Sequence, residues 1–131
     1  MSEENVELLH RTIDAISRRD LEAFMALMDQ DVQAVPRIVT VEGGLRGHEG
    51  IRQWWDTWLD AFPDWKLEVV GVRDFGDVIV ATFSAVGHGA TSHLPLEDNA
   101  WLACRWRLGQ CTWWQVCRSE AEALEAAGLS E

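Results

Sequence analysis

Residues 47–88 read GHEGIRQWWDTWLDAFPDWKLEVVGVRDFGDVIVATFSAVGH, and a change of period inside this stretch decides the fold. Up to Phe62 the apolar residues Ile51, Trp54, Trp55, Trp58, Leu59 and Phe62 fall three and four apart. That spacing predicts one helical face, beginning near Gly47 and stopped at Pro63. From Lys66 the period drops to two, with strands over 66–73 and 78–88 flanking a turn at Phe75-Gly76-Asp77, the pattern of an antiparallel hairpin. A helical stripe carrying three indoles must be covered by something large.

On the N-terminal side, Val6, Leu9, Ile13 and Ile16 mark an amphipathic helix within residues 2–18. Asp20 caps a shorter second helix whose apolar face is Leu21, Phe24, Met25 and Leu27-Met28, ending near Asp29. Val32 to Val41 favours strand but is interrupted by Pro36, which suits an edge strand or two short pieces, and Gly43-Gly44 breaks it. On the C-terminal side, a loop through Pro95 leads to strands over about 97–107 and 111–118, joined through Leu108-Gly109-Gln110. A short helix from Glu120 to Ala127 is stopped by Gly128. Helices grouped ahead of strand hairpins predict an α+β fold: a curved antiparallel sheet wrapped around three helices of the N-terminal half.

Composition narrows the function. The chain of 131 residues is one domain, 1–131, with 47% hydrophobic and 25% charged residues. A net charge of −11 at pH 7 repels phosphate backbones and anionic membranes, so neither nucleic acid nor membrane is an expected partner. Eight Trp and four Phe supply broad apolar surface, while the absence of Tyr means that any oxyanion donor must be another group. The three cysteines, 104, 111 and 117, form no even disulfide framework and suit the cytoplasm. They read as small core hydrophobes, since no His neighbours any of them in sequence to promote a thiolate. No CxxC or HExxH occurs, so no metal site is expected.

Several short motifs carry a resemblance: Asn5-Val6-Glu7-Leu8-Leu9, Arg19-Asp20-Leu21-Glu22-Ala23, Asp29-Gln30-Asp31-Val32, Gly47-His48-Glu49-Gly50-Ile51-Arg52, Phe62-Pro63-Asp64 and the ending Ala121–Leu129. In this order and spacing the chain resembles the SnoaL-like (polyketide cyclase-like) family of the nuclear transport factor 2-like superfamily. The resemblance implies a cone with an apolar pocket between the concave sheet face and the helices, no cofactor, and a homodimer. It implies little about chemistry, because the family spans cyclases, isomerases, hydrolases, dehydratases and members without known activity. Steroid isomerase-like relatives carry a carboxylate base where this chain reads Gln33-Ala34-Val35-Pro36, and cyclases carry an Asp at the position aligned with Ser119. A hydroxyl at its ordinary pKa is no base without a neighbour, so neither mechanism transfers directly.

Candidate site residues follow from chemistry and register. His88, between Gly87 and Gly89, is the general-base candidate because imidazole titrates near neutrality, although a solvated loop histidine is the plainer reading. Ser119 is the other catalytic candidate. Trp55 and Trp58 are candidates for the cavity wall, with core packing as the alternative. If Ser119 faces the pocket, period-two counting turns Trp113, Gln115 and Cys117 inward with it. Cross-strand counting then adds Ala100, Leu102, Cys104 and Trp106, and leaves Trp114 outward as a dimer anchor. Glu97-Asp98 supplies either a carboxylate at the cavity mouth or a solvated edge pair. The expected function is binding of a small apolar molecule, polycyclic ones among the candidates, with isomerase-, cyclase- or lyase-like proton transfer. The alternatives are a non-catalytic binding or dimeric interaction protein, or a scaffold redesigned for a foreign activity.

Overall fold

The computed structural model describes residues 2–36 and 44–129. Its elements run α1 (Ser2–Ser17), α2 (Leu21–Ala26), β1 (Met28–Val35), β2 (Leu45–Arg46), α3 (Gly47–Ala61), β3 (Lys66–Asp74), β4 (Val78–His88), β5 (Pro95–Arg107), β6 (Gln110–Cys117) and α4 (Glu120–Ala126). The β-rich stretch beyond Pro36, with Gly43, lies outside the described residues. One six-stranded, curved and open sheet is ordered β2-β1-β6-β5-β4-β3. All neighbouring pairs are antiparallel except β1 with β6, which run parallel. The strand that follows the helical corner thus docks beside the last strand, a neighbour that local pattern does not reveal.

The helices lie against the concave face. Leu9, Ile13 and Ile16 of α1, Phe24 and Met25 of α2, and Ile51 and Trp55 of α3 share one core with Ile79, Ala81, Phe83, Leu102 and Cys104 of the sheet. The motifs that carried the resemblance are joints of this assembly. Arg19, at φ 57, donates to the carbonyls of Ile16 (2.7 Å), Pro63 (3.2 Å) and Trp65 (2.6 Å), tying the α1–α2 corner to the α3–β3 turn. Asp20 caps α2 by accepting from the Ala23 N–H, as its place in the sequence predicts. His48 Nε2–H donates to Met28 O at 2.9 Å and locks the start of α3 onto β1.

A second, smaller layer covers the convex face. There Ala123 and Ala127 of α4 press on Val78, Val80, Ala103 and Cys117. An ion pair from Arg73 of β3 to Glu120 holds the first turn of α4.

The register of β6 corrects the sequence expectation. Leu102 pairs with Val116 and Cys104 with Trp114, but Trp106 pairs with Cys111, so Thr112 is an extra residue on the β6 side. This bulge reverses every side chain beyond it. Trp113, Gln115 and Cys117 face the convex side, and Trp114 and Val116 point into the concave core. Trp114 is 6% exposed, so it is no outer-face dimer anchor. Among the described residues no helix is long and apolar enough to cross a membrane.

Candidate functional site

Inside the cone the helices and the bent sheet do not close completely, and a cavity of about 100 Å3 remains. Leu9, Thr12, Ile13 and Ile16 line it from one face of α1, at the three-four spacing that brings residues together along a helix. The sheet contributes alternate residues: Phe83 and Ala85 from β4; Ala100, Leu102, Cys104 and Trp106 from β5; and Trp114 and Val116 from β6. Trp54 and Trp58 of α3 and Trp65 at the start of β3 complete an aromatic wall. The rings meet on edge: Trp58 and Trp65 are 5.5 Å apart at 77°, Trp54 and Trp65 6.4 Å at 84°, and Trp54 and Trp114 5.3 Å at 65°. Stiff rings at these angles cannot slide to fill the gap between them, and that is how bulky residues enclose a void.

Polar groups in the wall are few. Of the described lining residues, Thr12 bears the one hydroxyl and Asp98 the one carboxylate. The Thr12 hydroxyl donates to Leu8 O at 2.8 Å. Asp98 lies on β5 opposite Ala85 of β4, at the cavity edge. The two thiols in the wall are inert: burial pushes Cys104 up to about 12, and pushes Cys111 well above its ordinary value. Cys104 Sγ instead accepts from the Trp106 indole N–H at 3.2 Å.

The predicted ligand-binding residues fall in three places. Trp58, Leu102 and Cys104 line the cavity. Trp55 is buried behind it, with its ring 5.2 Å from that of Phe24. Trp113, Gln115 and Cys117 lie across the sheet, for the register reason given above. Arg105 covers the Trp113 ring at 5.4 Å, and the Cys117 thiol sits beneath α4, pushed up to about 11 by burial and then by Glu122.

The two catalytic candidates meet neither the cavity nor each other. Ser119 caps α4: its hydroxyl accepts from the Glu122 N–H, while the Glu122 carboxylate reaches back to the Arg118 N–H. The run Ser119-Glu120-Ala121-Glu122 carries the Ser-x-x-Glu signature of a capping box, a signal present in the sequence, with the returning bond taken from Arg118 in place of the cap's own N–H. His88 follows the outward alternation of β4 and is exposed. Its Nδ1–H donates to Asp64 Oδ2, and its backbone N–H donates to Asp64 Oδ1, both at 2.7 Å. The His88 side chain chiefly, with its backbone N–H next, holds the Asp64 carboxyl below its ordinary value of 3.8. Gly87 allows this joint, because a Cβ there would stand 3.2 Å from both Asp64 and Trp65. His10 and His93 are exposed.

Sequence reasoning singled out neither Trp65 nor Phe83. The signal for Trp65 is its position directly after Pro63-Asp64, where the chain leaves a helix end and enters its first long strand. Phe83 follows from the alternation of β4 once Ile79 and Ala81 are placed inward. Among the described residues no group of three or more His, Cys, Asp and Glu side chains is arranged to hold a metal ion.

A bent six-stranded sheet folded over helices, with an apolar hollow between them, defines the class of nuclear transport factor 2-like, cystatin-fold proteins. Within it the chain belongs to the SnoaL-like family: the family profile of the SnoaL-like domain matches residues 9–114. No curated protein matches it at the level of sequence. Among solved structures, TerC co-crystallised with polyporic acid superimposes with a TM-score of 0.77 at 18% identity, over 93% of this chain and 96% of that one. AclR from Streptomyces galilaeus, described as a putative hydroxylase, gives 0.74 at 16% identity over 98% of each chain. A putative polyketide cyclase from Sinorhizobium meliloti gives 0.71 at 15% identity over 84% of this chain and 93% of that one. At such identities the likeness is one of fold.

Proposed function

We propose that this chain binds a small, mainly apolar molecule in the cavity between its helices and the concave face of its sheet. The observation that carries this reading is a partly open apolar hollow of about 100 Å3 walled by nearly perpendicular indole rings. That a protein of the same fold was crystallised with a small molecule supports it. Size narrows the guest. An apolar protein cavity of about 150 Å3 holds benzene, and pockets for drug-sized molecules run to roughly 300–1,000 Å3. The volume is below that of the benzene-holding cavity, so a short aliphatic chain or at most one ring that reaches into the open mouth suits it, and a fused polycycle requires the indoles to turn aside.

The test is a series graded by size, from toluene and cyclohexane through naphthalene to a steroid, read by thermal shift and intrinsic Trp fluorescence. One-ring compounds are expected to raise Tm by several degrees at saturation, as linkage requires for a ligand that binds the folded state alone. Silence across the series overturns the reading.

Asp98 supports a second reading, in which the bound guest also undergoes proton transfer. It is the one carboxylate among the described residues of the wall, so it, and neither His88 nor Ser119, stands where a base would be needed. Asp98→Asn should then abolish turnover while leaving guest affinity within about threefold. Turnover that persists in this variant removes Asp98 from the role.

A further inference from the structure

The wall of the cavity is graded from one end of the sheet to the other. At one end Leu67, Ala85 and Asp98 stand in a single cross-strand row of β3, β4 and β5, and Leu67 and Asp98 are half-buried. At the other end Met28, Cys111 and Trp106 form a row of β1, β6 and β5, and all three are at most 2% exposed. Both rows line the same cavity. Along β5 between them exposure falls in chain order: Leu96 and Asp98 are half-buried, Ala100 and Leu102 are 8% exposed, and Cys104 is 1% exposed. On β6 the half-buried Val116 and the buried Trp114 and Cys111 repeat that order. Along the sheet, then, the hollow has a mouth where β3 and β5 begin and a closed end at Trp106.

Depth and volume together give the shape. The helix α1 follows the same path: Asn5 donates to Gly76 O at 2.8 Å in the turn after β3, and Arg19 donates to Trp65 O at 2.6 Å just before β3 begins. Its lining residues Leu9 and Ile16 lie about 10 Å apart along the helix, and Asp98 and Trp106 about 26 Å apart along a bent strand. A compact hollow of 100 Å3 would be only about 6 Å across. The space is therefore deeper than it is wide. We propose that the guest is an unbranched aliphatic chain that enters tail first, from the Leu67–Asp98 row toward Trp106, and leaves an uncharged polar head at the mouth; this rests on the binding role argued above. Carbons in line follow a narrow bed, whereas a ring of the same carbon number needs width that stiff indoles do not yield. Scaled from benzene in about 150 Å3, the volume takes about four carbons, and a depth of about 10 Å takes about eight in line. The described lining holds no cationic side chain and the chain carries −11, so an anionic head would lose hydration without gaining a counter-charge. A primary alcohol, an aldehyde or a methyl ester meets these conditions.

The probes are primary alcohols from butan-1-ol to decan-1-ol, titrated on the full chain by Trp fluorescence and 1H–15N shifts. Each added carbon should tighten binding about fourfold, the worth of one buried methylene, and the gain should stop by about eight carbons, where the tail meets the closed end. Hexan-1-ol should bind about tenfold tighter than cyclohexanol and 3,3-dimethylbutan-1-ol, which hold as many carbons in compact form. Cys104→Leu fills the deep half, and should bring the stop about two carbons earlier while butan-1-ol keeps its affinity within about threefold. The series on the unmodified chain stands by itself if that variant does not fold. If compact isomers bind as well as linear ones, if affinity climbs unbroken to decan-1-ol, or if the stop stays in place in a folded Cys104→Leu chain, the channel assignment is wrong and the binding role survives. If neither the alcohols nor the ring compounds bind, the binding role fails and takes the assignment with it.

Discussion

The two faces of the sheet solve the same burial problem with opposite materials. On the convex face the fully buried layer is small, with Val78, Val80, Ala103 and Cys117 meeting Ala123 and Ala127, and the half-buried Trp101, Trp113 and Leu124 pack against it. On the concave face indoles and phenyl rings meet helices, and a hollow of about 100 Å3 survives among the largest residues in the chain. Cavity formation here is a matter of shape before volume: small residues nest, whereas rings held edge to face leave corners that no neighbour reaches. Ala100 and Cys104 in the wall add room, but Cys117, expected on the concave side, belongs to the convex layer.

The sharpest way to break this contrast is to exchange the two faces. Deleting Thr112 removes the extra residue of β6 and drives Trp113 and Gln115 inward and Trp114 outward. The chain should lose more than about 4 kcal/mol, the range reserved for lost burial networks, and denaturant unfolding should show a lower midpoint or no cooperative transition. A midpoint within about 1 kcal/mol of the parent would mean that the register is set elsewhere.

Neighbouring residues of β4 offer a finer comparison. Ile79 is 0% exposed on the concave side and Val80 is 2% exposed on the convex side. Ile79→Ala should cost about 2–5 kcal/mol and Val80→Ala about 1–2 kcal/mol, measured by chemical denaturation. Equal costs would mean that the smaller convex layer holds Val80 as tightly as the concave core holds Ile79.

The thiols sharpen the comparison at smaller scale. With Cys104 held at about 12 and Cys117 at about 11, a disulfide reagent at pH 8 should label neither in the folded chain over minutes, on either face, and should label both in denaturant. Rapid labelling of Cys117 alone would show that α4 lifts from its layer.

The smallest effect is expected at the exposed joint between Asp64 and His88. Because the Asp64 carboxyl lies below 3.8 in the folded chain, its contribution is full above about pH 4 and fades as pH falls through the lowered value. Asp64→Asn should therefore separate from the parent in Tm by a small, constant amount near neutrality, and the two curves should converge in acid. Divergence in acid would reverse the sign of the linkage.

The elements were legible because the chain changes period so cleanly. The spans expected for the third helix, for the hairpin strands 66–73 and 78–88 and for the closing helix agree with α3, β3, β4 and α4 to within one or two residues. The concave residues of β5 were legible for the same reason. The far strand was not, because counting by twos assumes an unbroken pleat, and nothing local marks Thr112 as an insertion. One warning was present: the unbulged register turned the amide of Gln115 toward a dry core, a placement that needs a hydrogen-bonding partner. The catalytic candidates lie away from the apolar cavity for a different reason. Ser119 and His88 were singled out by alignment position and by titration chemistry, and both turn out to be fasteners, one at a helix start and one at a strand end.

Arg19 is a position where two requirements pull against each other. Its left-handed backbone, at φ 57, is one that glycine adopts at no cost and that other residues occupy at about 1–2 kcal/mol. Its guanidinium nevertheless clasps three carbonyls from two distant turns, which glycine would abandon and which a lysine, with a single point of charge, would grip less fully. Neither the residue that relaxes the main chain nor the one that preserves the charge can replace it. The corner is therefore held by an unfavourable conformation kept in place for the sake of its reach.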